Sequence, residues 1–188
     1  MKKWKMIFSL LSDISAEYTI ITLYSIGILP IMKMDLRKRI FSLAFPLFIG
    51  LLAGLLSRNA MEHFSTLTKP PLSPPAILFP IVWTMLYSLM GISMYLVTTS
   101  NAPANEIVNA KNIYFYQLIV NFLWPIFFFN FGWYLFAFFW LVLLWILVFV
   151  MIRKFYAISP IAGILNIPYL LWLTFAGYLN LGIWWLNR

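Results

Sequence analysis

The side chains of this chain that could take part in chemistry are mostly aromatic rings and amides, and they recur at helical spacing within apolar runs. Residues three or four apart share one face of a helix. Four such stripes occur: Trp83, Tyr87, Gly91 and Met94; Gln117, Asn121 and Trp124; Trp133, Ala137, Trp140 and Leu144; and Asn166, Tyr169, Trp172, Ala176 and Asn180. Each stripe alone is typical of helix packing, with amides as interhelical hydrogen-bonding groups. Four together favour a cavity for a large, flat, apolar ligand held by stacking and a few amides.

The same inventory excludes several kinds of site. The chain has no cysteine, which excludes disulfides, iron–sulfur clusters and thiol chemistry. Its one histidine, His63, lies in a predicted loop, so metal ligands are lacking. The apolar runs carry no acidic or basic residue away from their ends, whereas proton-coupled transporters usually need such groups at membrane depth. We therefore expect no firm catalytic residue, no metal and no required cofactor.

A proline-rich loop precedes the second apolar run and is expected to cap the cavity. Lys69-Pro70-Pro71-Leu72-Ser73-Pro74-Pro75 has four prolines in seven residues, and proline removes a backbone donor and keeps the preceding residue out of the α region. Flexible linkers are instead rich in Gly and Ser. This loop is therefore built to keep one shape, and a shaped loop at a membrane surface suggests the lid of a site.

Composition predicts the architecture that positions these groups. The chain of 188 residues is 63% hydrophobic and only 10% charged, against roughly 25% charged in soluble domains. Five runs approach or exceed the ~20 apolar residues that cross a bilayer. We predict an all-α membrane protein, a bundle of five transmembrane helices over 40–57, 76–98, 112–131, 133–152 and 160–186, with a turn at Gly132. The last run is the longest and should tilt or extend past the interface.

The first run contains a G-x-x-x-G, formed by Gly50 and Gly54. This pattern permits close approach of helices, either inside the bundle or at a dimer seam. Packing inside the bundle is the favoured interpretation.

Residues 1–39 are interpreted as an N-terminal extension before a transmembrane domain over 40–188. A dispensable extension is favoured, because Met34-Asp-Leu-Arg-Lys-Arg39 resembles a natural cytoplasmic start. A weak extra apolar span over 18–32 and a cleavable signal peptide are the alternatives. The signal is disfavoured because polar residues break the apolar stretch and no A-x-A-like site follows.

The distribution of basic residues predicts the orientation. With the N-terminus inside, ten Lys and Arg lie on the inner side, and three, Arg58, Lys69 and Arg188, lie outside. The net charge of +8 then reflects membrane topology, and no nucleic-acid partner is expected. We predict a multi-pass protein of a bacterial cell membrane, with its N-terminus inside and the proline loop outside.

Three blocks of residues carry a family resemblance. The first is Lys69-Pro70-x-x-x-Pro74-Pro75 followed by Trp83 and Leu86-Tyr87-x-Leu89-Met90-Gly91. The second is Gln117-x-x-x-Asn121-x-x-Trp124, and the third runs from Pro168-Tyr169 through Trp172 and Ala176 to Leu179-Asn180. In this order, they resemble the tryptophan-rich sensory protein and peripheral benzodiazepine receptor family, also called translocator proteins. The resemblance covers about residues 41–187.

The resemblance implies a five-helix bundle that binds a tetrapyrrole such as protoporphyrin IX or haem, and a frequent homodimer. It implies a ligand site formed by Lys69, Pro74, Pro75, Trp83, Tyr87, Gln117, Asn121, Trp124, Tyr169, Trp172, Ala176 and Asn180. A sensor or receptor that binds porphyrin is the favoured function. The alternatives are a light- and oxygen-dependent porphyrin-degrading protein, with Trp83 and Trp172 near the pigment, and a small carrier of lipophilic molecules.

The chain departs from the family pattern at two places in the loop region. Leu72 stands where the family usually has Trp before the paired prolines, and His63-Phe64 stands where it usually has Trp-Tyr. A loop with fewer rings is expected to grip a flat ligand less well or to prefer another ligand. The extension before Met34 has no counterpart in the family.

Overall fold

The computed structural model describes residues 36–57 and 66–188. Within these ranges the chain forms helices and no strand. They are α1 (Leu36–Ser57), α2 (Leu78–Thr98), α3 (Ala104–Pro125) with a π-helical turn (Ile126–Asn130), α4 (Tyr134–Ile158), α5 (Pro160–Ile164) and α6 (Ile167–Leu186). Of the predicted extension over 1–39, residues 36–39 form the start of α1, so this helix begins four residues before its predicted start. Residues 1–35, with the alternatives for them, and His63-Phe64 lie outside the described residues.

Four of the helical segments are long and apolar enough to cross a membrane, and they run over 78–98, 104–130, 134–158 and 160–186. In α1 the apolar part is shorter, Ser42–Leu56. The prediction of an all-α membrane protein with five helices in its bundle is confirmed. The protein is an integral, multi-pass membrane protein.

Contacts between helices establish their relative directions. On α2 and α3, Tyr87 contacts Asn121 while Met90, further along α2, contacts Gln117, so the two helices are antiparallel. The same argument makes α2 and the last span antiparallel, because Phe79 contacts Trp172 whereas Ser93 contacts Asn166. One end of the bundle therefore carries the start of α2 and the end of α6, and we call it the loop end.

The helix α1 packs against α2 through two glycines. A Cβ on Gly91 would lie 2.7 Å from the Ser42 carbonyl oxygen, and a Cβ on Gly50 would overlap the Tyr87 ring. The absence of a side chain at Gly91 therefore lets the α1 backbone lie directly against α2. Gly54 is exposed, and no described atom lies within 4 Å of a Cβ placed on it.

The helix α3 begins eight residues before its predicted start. Ala104 follows Pro103, whose carbonyl oxygen accepts from the amides of Glu106 and Ile107, and an acidic side chain in a first turn is favoured by the helix dipole. Hydropathy detects only the part of a helix inside the bilayer, so a polar first part was predicted as a loop. Similarly, α4 continues six residues past its predicted end, to Ile158.

The last span is interrupted, although one continuous helix was predicted. Pro168 lies in the first turn of α6 and has no amide to donate to the Ile164 carbonyl, so α5 ends there. Asn166 fills the interruption, since its Nδ2 donates to Ser93 Oγ at 2.6 Å and to the Ala162 carbonyl at 2.8 Å.

The helix α3 ends in the π-helical turn, which follows Pro125. The Phe131 amide donates five residues back, to the Ile126 carbonyl, at 3.1 Å. Gly132 then adopts φ +65°, a left-handed conformation that glycine tolerates. The predicted turn at Gly132 is confirmed.

Candidate ligand-binding site

Five predicted site residues from three helices come together in a buried cluster. Trp83 and Tyr87 are on α2, Gln117 and Asn121 on α3, and Tyr169 on α6. We call them the aromatic–amide cluster. All except Trp83, which is half-buried, are shielded from solvent. The cluster therefore joins the three helices that carry the most informative sequence motifs.

Hydrogen bonds between uncharged side chains connect the members of this cluster. The Tyr87 hydroxyl donates to Asn121 Oδ1 at 2.9 Å, and Asn121 Nδ2 donates to the Tyr169 hydroxyl. The Tyr169 hydroxyl in turn donates to Gln117 Oε1 at 3.1 Å. Gln117 Nε2 completes the chain at 3.8 Å from Met90 Sδ. Because buried polar groups are costly when unpaired, this chain of bonds explains why amides are tolerated here.

Two tryptophans border the cluster with rings that are only half-buried. The Trp83 ring lies 5.3 Å from that of Tyr87 and 6.0 Å from that of Tyr169, measured between centroids. Trp172 lies one turn after Tyr169 on α6. Its ring meets the Phe79 ring edge-on, with 5.9 Å between the centroids. The partly accessible indoles can therefore offer a face or an edge to a flat ligand.

Trp124 and Asn180 belong to a second group, nearer the loop end. Trp124 Nε1 donates to Asn180 Oδ1 at 3.2 Å, and Asn180 Nδ2 donates to the Tyr134 carbonyl at 2.7 Å. Trp124 also packs against a buried core of Phe128, Ala137 and Ile183. The structure thus places these two predicted site residues in a helix-packing contact beside α4. Ala176 lies half-buried on α6, between Trp172 and Asn180 in the sequence.

The predicted stripe on α4 also contains buried, half-buried and exposed residues. Ala137 and Leu144 are buried, Trp140 is half-buried, and Trp133 is exposed. Trp140 Nε1 donates to the Val120 carbonyl at 2.8 Å. This stripe packs α4 against α3.

The proline loop is fastened to the C-terminal half of α6. The Tyr178 hydroxyl donates to the Pro71 carbonyl at 2.9 Å. At the helix end, Asn187 bonds both the amide and the carbonyl of Thr68, each at 2.9 Å. Pro70 is buried against Gly182, where a Cβ would come within 2.7 Å of the proline ring. The expectation of a shaped loop agrees with these contacts.

The remaining loop residues vary in exposure. Lys69 and Pro75 are exposed and Pro74 is half-buried, and the Pro75 carbonyl accepts from the Leu78 amide at the start of α2. Leu72, the departure from the family pattern, is 81% exposed and has φ +64°. Its side chain therefore lies on the outer surface of the loop.

Sequence reasoning missed several residues that support the site. Phe79 lies one turn before Trp83 on α2, and Asn187 lies seven residues after Asn180, so extending either stripe by helical spacing would have included them. Tyr178 and Gly182 lie on another face of α6 and gave no such signal. Tyr114 is buried one turn before Gln117 on α3, and its hydroxyl has no hydrogen-bond partner in the described part of the chain.

The arrangement suits binding better than acid–base chemistry. The cluster offers hydroxyls, amides and rings but no charged group, and within the described ranges no three His, Cys, Asp or Glu residues come together as metal ligands. Its buried side chains contact one another, so a large ligand must separate them or lie beside them. A separate apolar groove of about 260 Å³ lies between α4 and α6, lined by Phe138, Leu141, Val142, Trp145, Leu173, Thr174, Gly177, Tyr178 and Leu181.

Comparison with known proteins gives consistent matches over this part of the chain. The model of the TspO/MBR family matches residues 42–186. The tryptophan-rich protein TspO of Chlorobaculum tepidum is 34% identical, over 81% of this chain and 99% of that protein. Protein CrtK of Rhodobacter capsulatus is 38% identical, over 66% of this chain and 78% of that protein. The translocator protein of Bos taurus is 33% identical, over 74% and 83%.

Proposed function

The chain belongs to the TspO/MBR family of membrane proteins, and from this premise we propose that it is a sensory or translocator-type protein that binds a tetrapyrrole such as protoporphyrin IX or haem. The ligand lies against Trp83 and Trp172, beside the aromatic–amide cluster and beneath the proline loop.

One observation carries this proposal. Trp83 and Trp172 are half-buried side chains on facing helices, at the border of a buried, hydrogen-bonded cluster that is electrically neutral. A flat macrocycle can stack on such rings, and the cluster supplies hydroxyl and amide groups for orientation. Neither indole takes part in the hydrogen bonds found within the cluster, so a ligand that contacts either ring need not break them.

The experiment compares porphyrin binding by Trp83→Leu, Trp172→Leu and the unmodified protein in detergent. A stacking contact contributes about 0.5–1.5 kcal/mol beyond burial, so each change should weaken binding by roughly two- to tenfold. Titration followed by porphyrin absorbance and tryptophan fluorescence measures this loss.

The control is Trp184→Leu, which removes an indole at the end of α6, where Arg188 lies 5.5 Å from its ring centroid. This change should leave the affinity within about twofold. Unchanged affinity in both candidate variants would reject the proposed site. An equal loss in all three would indicate general destabilisation, which a thermal unfolding measurement on the same samples would detect.

A second candidate function is light-dependent porphyrin degradation, favoured by the two oxidisable indoles at the same border. A bound porphyrin absorbs light and activates oxygen, so the protein need only position it near an indole. Illumination of the porphyrin complex in air should then bleach the pigment more slowly in the Trp83 and Trp172 variants at saturating porphyrin. Equal bleaching in all variants leaves binding as the function.

A further inference from the structure

The proline loop is held at the loop end by three residues that lie in the last span or directly after it, and outside the predicted site. They are Tyr178, Gly182 and Asn187, and we call them the latch. Tyr178 and Gly182 are one helical turn apart and face the loop at Pro71 and Pro70. Asn187 follows the end of α6, and its Nδ2 turns back to the Ile183 carbonyl at 2.8 Å.

The side chain of Asn187 makes the pair of hydrogen bonds that a neighbouring backbone would make with Thr68. Its side-chain Oδ1 accepts from the Thr68 amide, and its Nδ2 donates to the Thr68 carbonyl. One side-chain amide therefore satisfies both polar groups of one loop residue. Thr68 and Asn187 lie toward the surface, so the pair can exchange with water, and its opening does not disturb the buried bundle.

Gly182 adds a close steric contact with the loop to these hydrogen bonds. A Cβ at position 182 would come within 2.7 Å of Pro70 Cβ and Cγ, and a proline ring cannot turn aside as a flexible side chain can. Pro70 is buried in this contact, while Pro71 and Leu72, which form the turn directly after it, are exposed. Glycine at 182 thus allows the loop to lie directly on α6.

The fastened loop crosses the loop end from the second group to α2. Leu67 packs against the core of Phe128, Ala137 and Ile183, and the chain then passes over Gly182 and Tyr178 before α2 begins at Leu78. Phe79 and Trp83 follow within the first two turns. A molecule that approaches these rings from the loop end therefore meets the loop first.

We propose that Tyr178, Gly182 and Asn187 are positioning residues for the ligand site, which act by fastening the proline loop, and that opening of this latch sets the rates at which ligand enters and leaves. This inference rests on the proposed tetrapyrrole site. It predicts a kinetic effect, because a lid that covers the free and the bound site alike changes both rates in the same direction.

The test uses Asn187→Leu and Tyr178→Phe in the full chain, with protoporphyrin IX as the probe. Losing a hydrogen bond should shift the opening equilibrium by roughly two- to tenfold, so the association and dissociation rates should both rise by about this factor. Stopped-flow quenching of tryptophan fluorescence measures both rates. The dissociation constant should change less than either rate.

Two control variants make the same chemical changes away from the latch. Asn109→Leu and Tyr156→Phe alter exposed residues near the opposite end of the bundle, and they should leave both rates unchanged. Gly182→Ala should behave like the latch variants, since the added methyl group displaces Pro70. Rates in the latch variants that equal those of the controls would overturn the proposal.

Hydrogen–deuterium exchange of the loop amides separates this proposal from the proposed function. The Thr68 amide should exchange faster in Asn187→Leu without any ligand present, while the amides of α4 keep their protection. If the unmodified protein fails to bind porphyrin, the proposed function fails and the gating role fails with it, although faster exchange would still identify the latch. Faster exchange of the Thr68 amide with unchanged association and dissociation rates of porphyrin would show that these residues hold the loop but do not control access to the site. This result would reject the inference.

Discussion

At the scale of single residues, the buried hydroxyls of two tyrosines differ in their partners. The Tyr169 hydroxyl accepts from Asn121 and donates to Gln117. The Tyr114 hydroxyl is buried as well, but it has no hydrogen-bond partner among the described residues. Because a buried polar group without a partner costs free energy, the two hydroxyls should contribute to stability with opposite signs.

The change of Tyr169 to Phe should therefore lower the free energy of unfolding by about 1–3 kcal/mol, since it leaves Asn121 and Gln117 each short of a partner. The change of Tyr114 to Phe should be neutral or slightly stabilising. Both changes keep the ring, so each controls for the packing effect of the other. Unfolding by sodium dodecyl sulfate titration measures the difference. Equal destabilisation would mean that the Tyr114 hydroxyl also has a bonding partner.

At the scale of helices, the G-x-x-x-G of α1 has two different environments. Gly50 faces the Tyr87 ring, which is fixed by its bond to Asn121. Gly54 faces open space. The favoured interpretation, packing inside the bundle, agrees with the position of Gly50 only. An exposed Gly54, beside exposed Leu51 and Leu55, leaves that face available for a second copy of the chain.

Gly50→Ala should destabilise the protein by about 1–3 kcal/mol, the usual cost of forcing extra volume into a packed contact. Gly54→Ala should cost nothing and can add up to about 1 kcal/mol through helix propensity. Thermal unfolding in detergent compares the two.

Gly54→Leu then tests for a dimer seam at that face. If the seam exists, light scattering should show a folded monomer where the unmodified protein is dimeric. An unchanged mass would place any dimer contact elsewhere.

Much of this fold could be predicted from the sequence, because apolar runs of bilayer length and their spacing are directly visible. The polar first two turns of α3 were missed because they lie outside the hydrocarbon. The break before Pro168 was missed because hydropathy does not register a break inside an apolar run, although the proline itself is visible in the sequence. The bond from Asn166 to Ser93, which fills the break, joins residues far apart in the sequence and gave no local signal. The aromatic stripes identified the cluster residues correctly as neighbours. The stripes could not separate Trp124 and Asn180, which pack against α4, from the residues of the aromatic–amide cluster. Helical spacing shows which face of its helix a residue lies on, but not which helix packs against that face.

At the scale of the whole molecule, the basic residues are distributed unevenly between the two ends. Among the described residues, the loop end carries Lys69 and Arg188. The other end carries the basic residues at the start of α1, at the start of α3 and near the end of α4, which are Arg37, Lys38, Arg39, Lys111, Arg153 and Lys154. By the positive-inside rule, we expect the loop end to face outward.

Single cysteines can test this orientation, because the chain contains none of its own. Leu72→Cys should react with a membrane-impermeant maleimide on intact cells, since Leu72 is exposed on the loop. Lys154→Cys should react only after permeabilisation. The reverse pattern would place the loop inside.

The buried cluster has a further consequence for how this protein responds to an electrical field across the membrane. Each elementary charge that moves through a potential of 100 mV contributes about 2.3 kcal/mol, but the hydroxyls and amides of the cluster carry no net charge. Rearrangement of these side chains should therefore be insensitive to voltage. A potassium diffusion potential imposed on proteoliposomes should leave the binding of an uncharged porphyrin unchanged. With protoporphyrin IX, any voltage dependence would report the carboxylates of the ligand and their depth in the membrane.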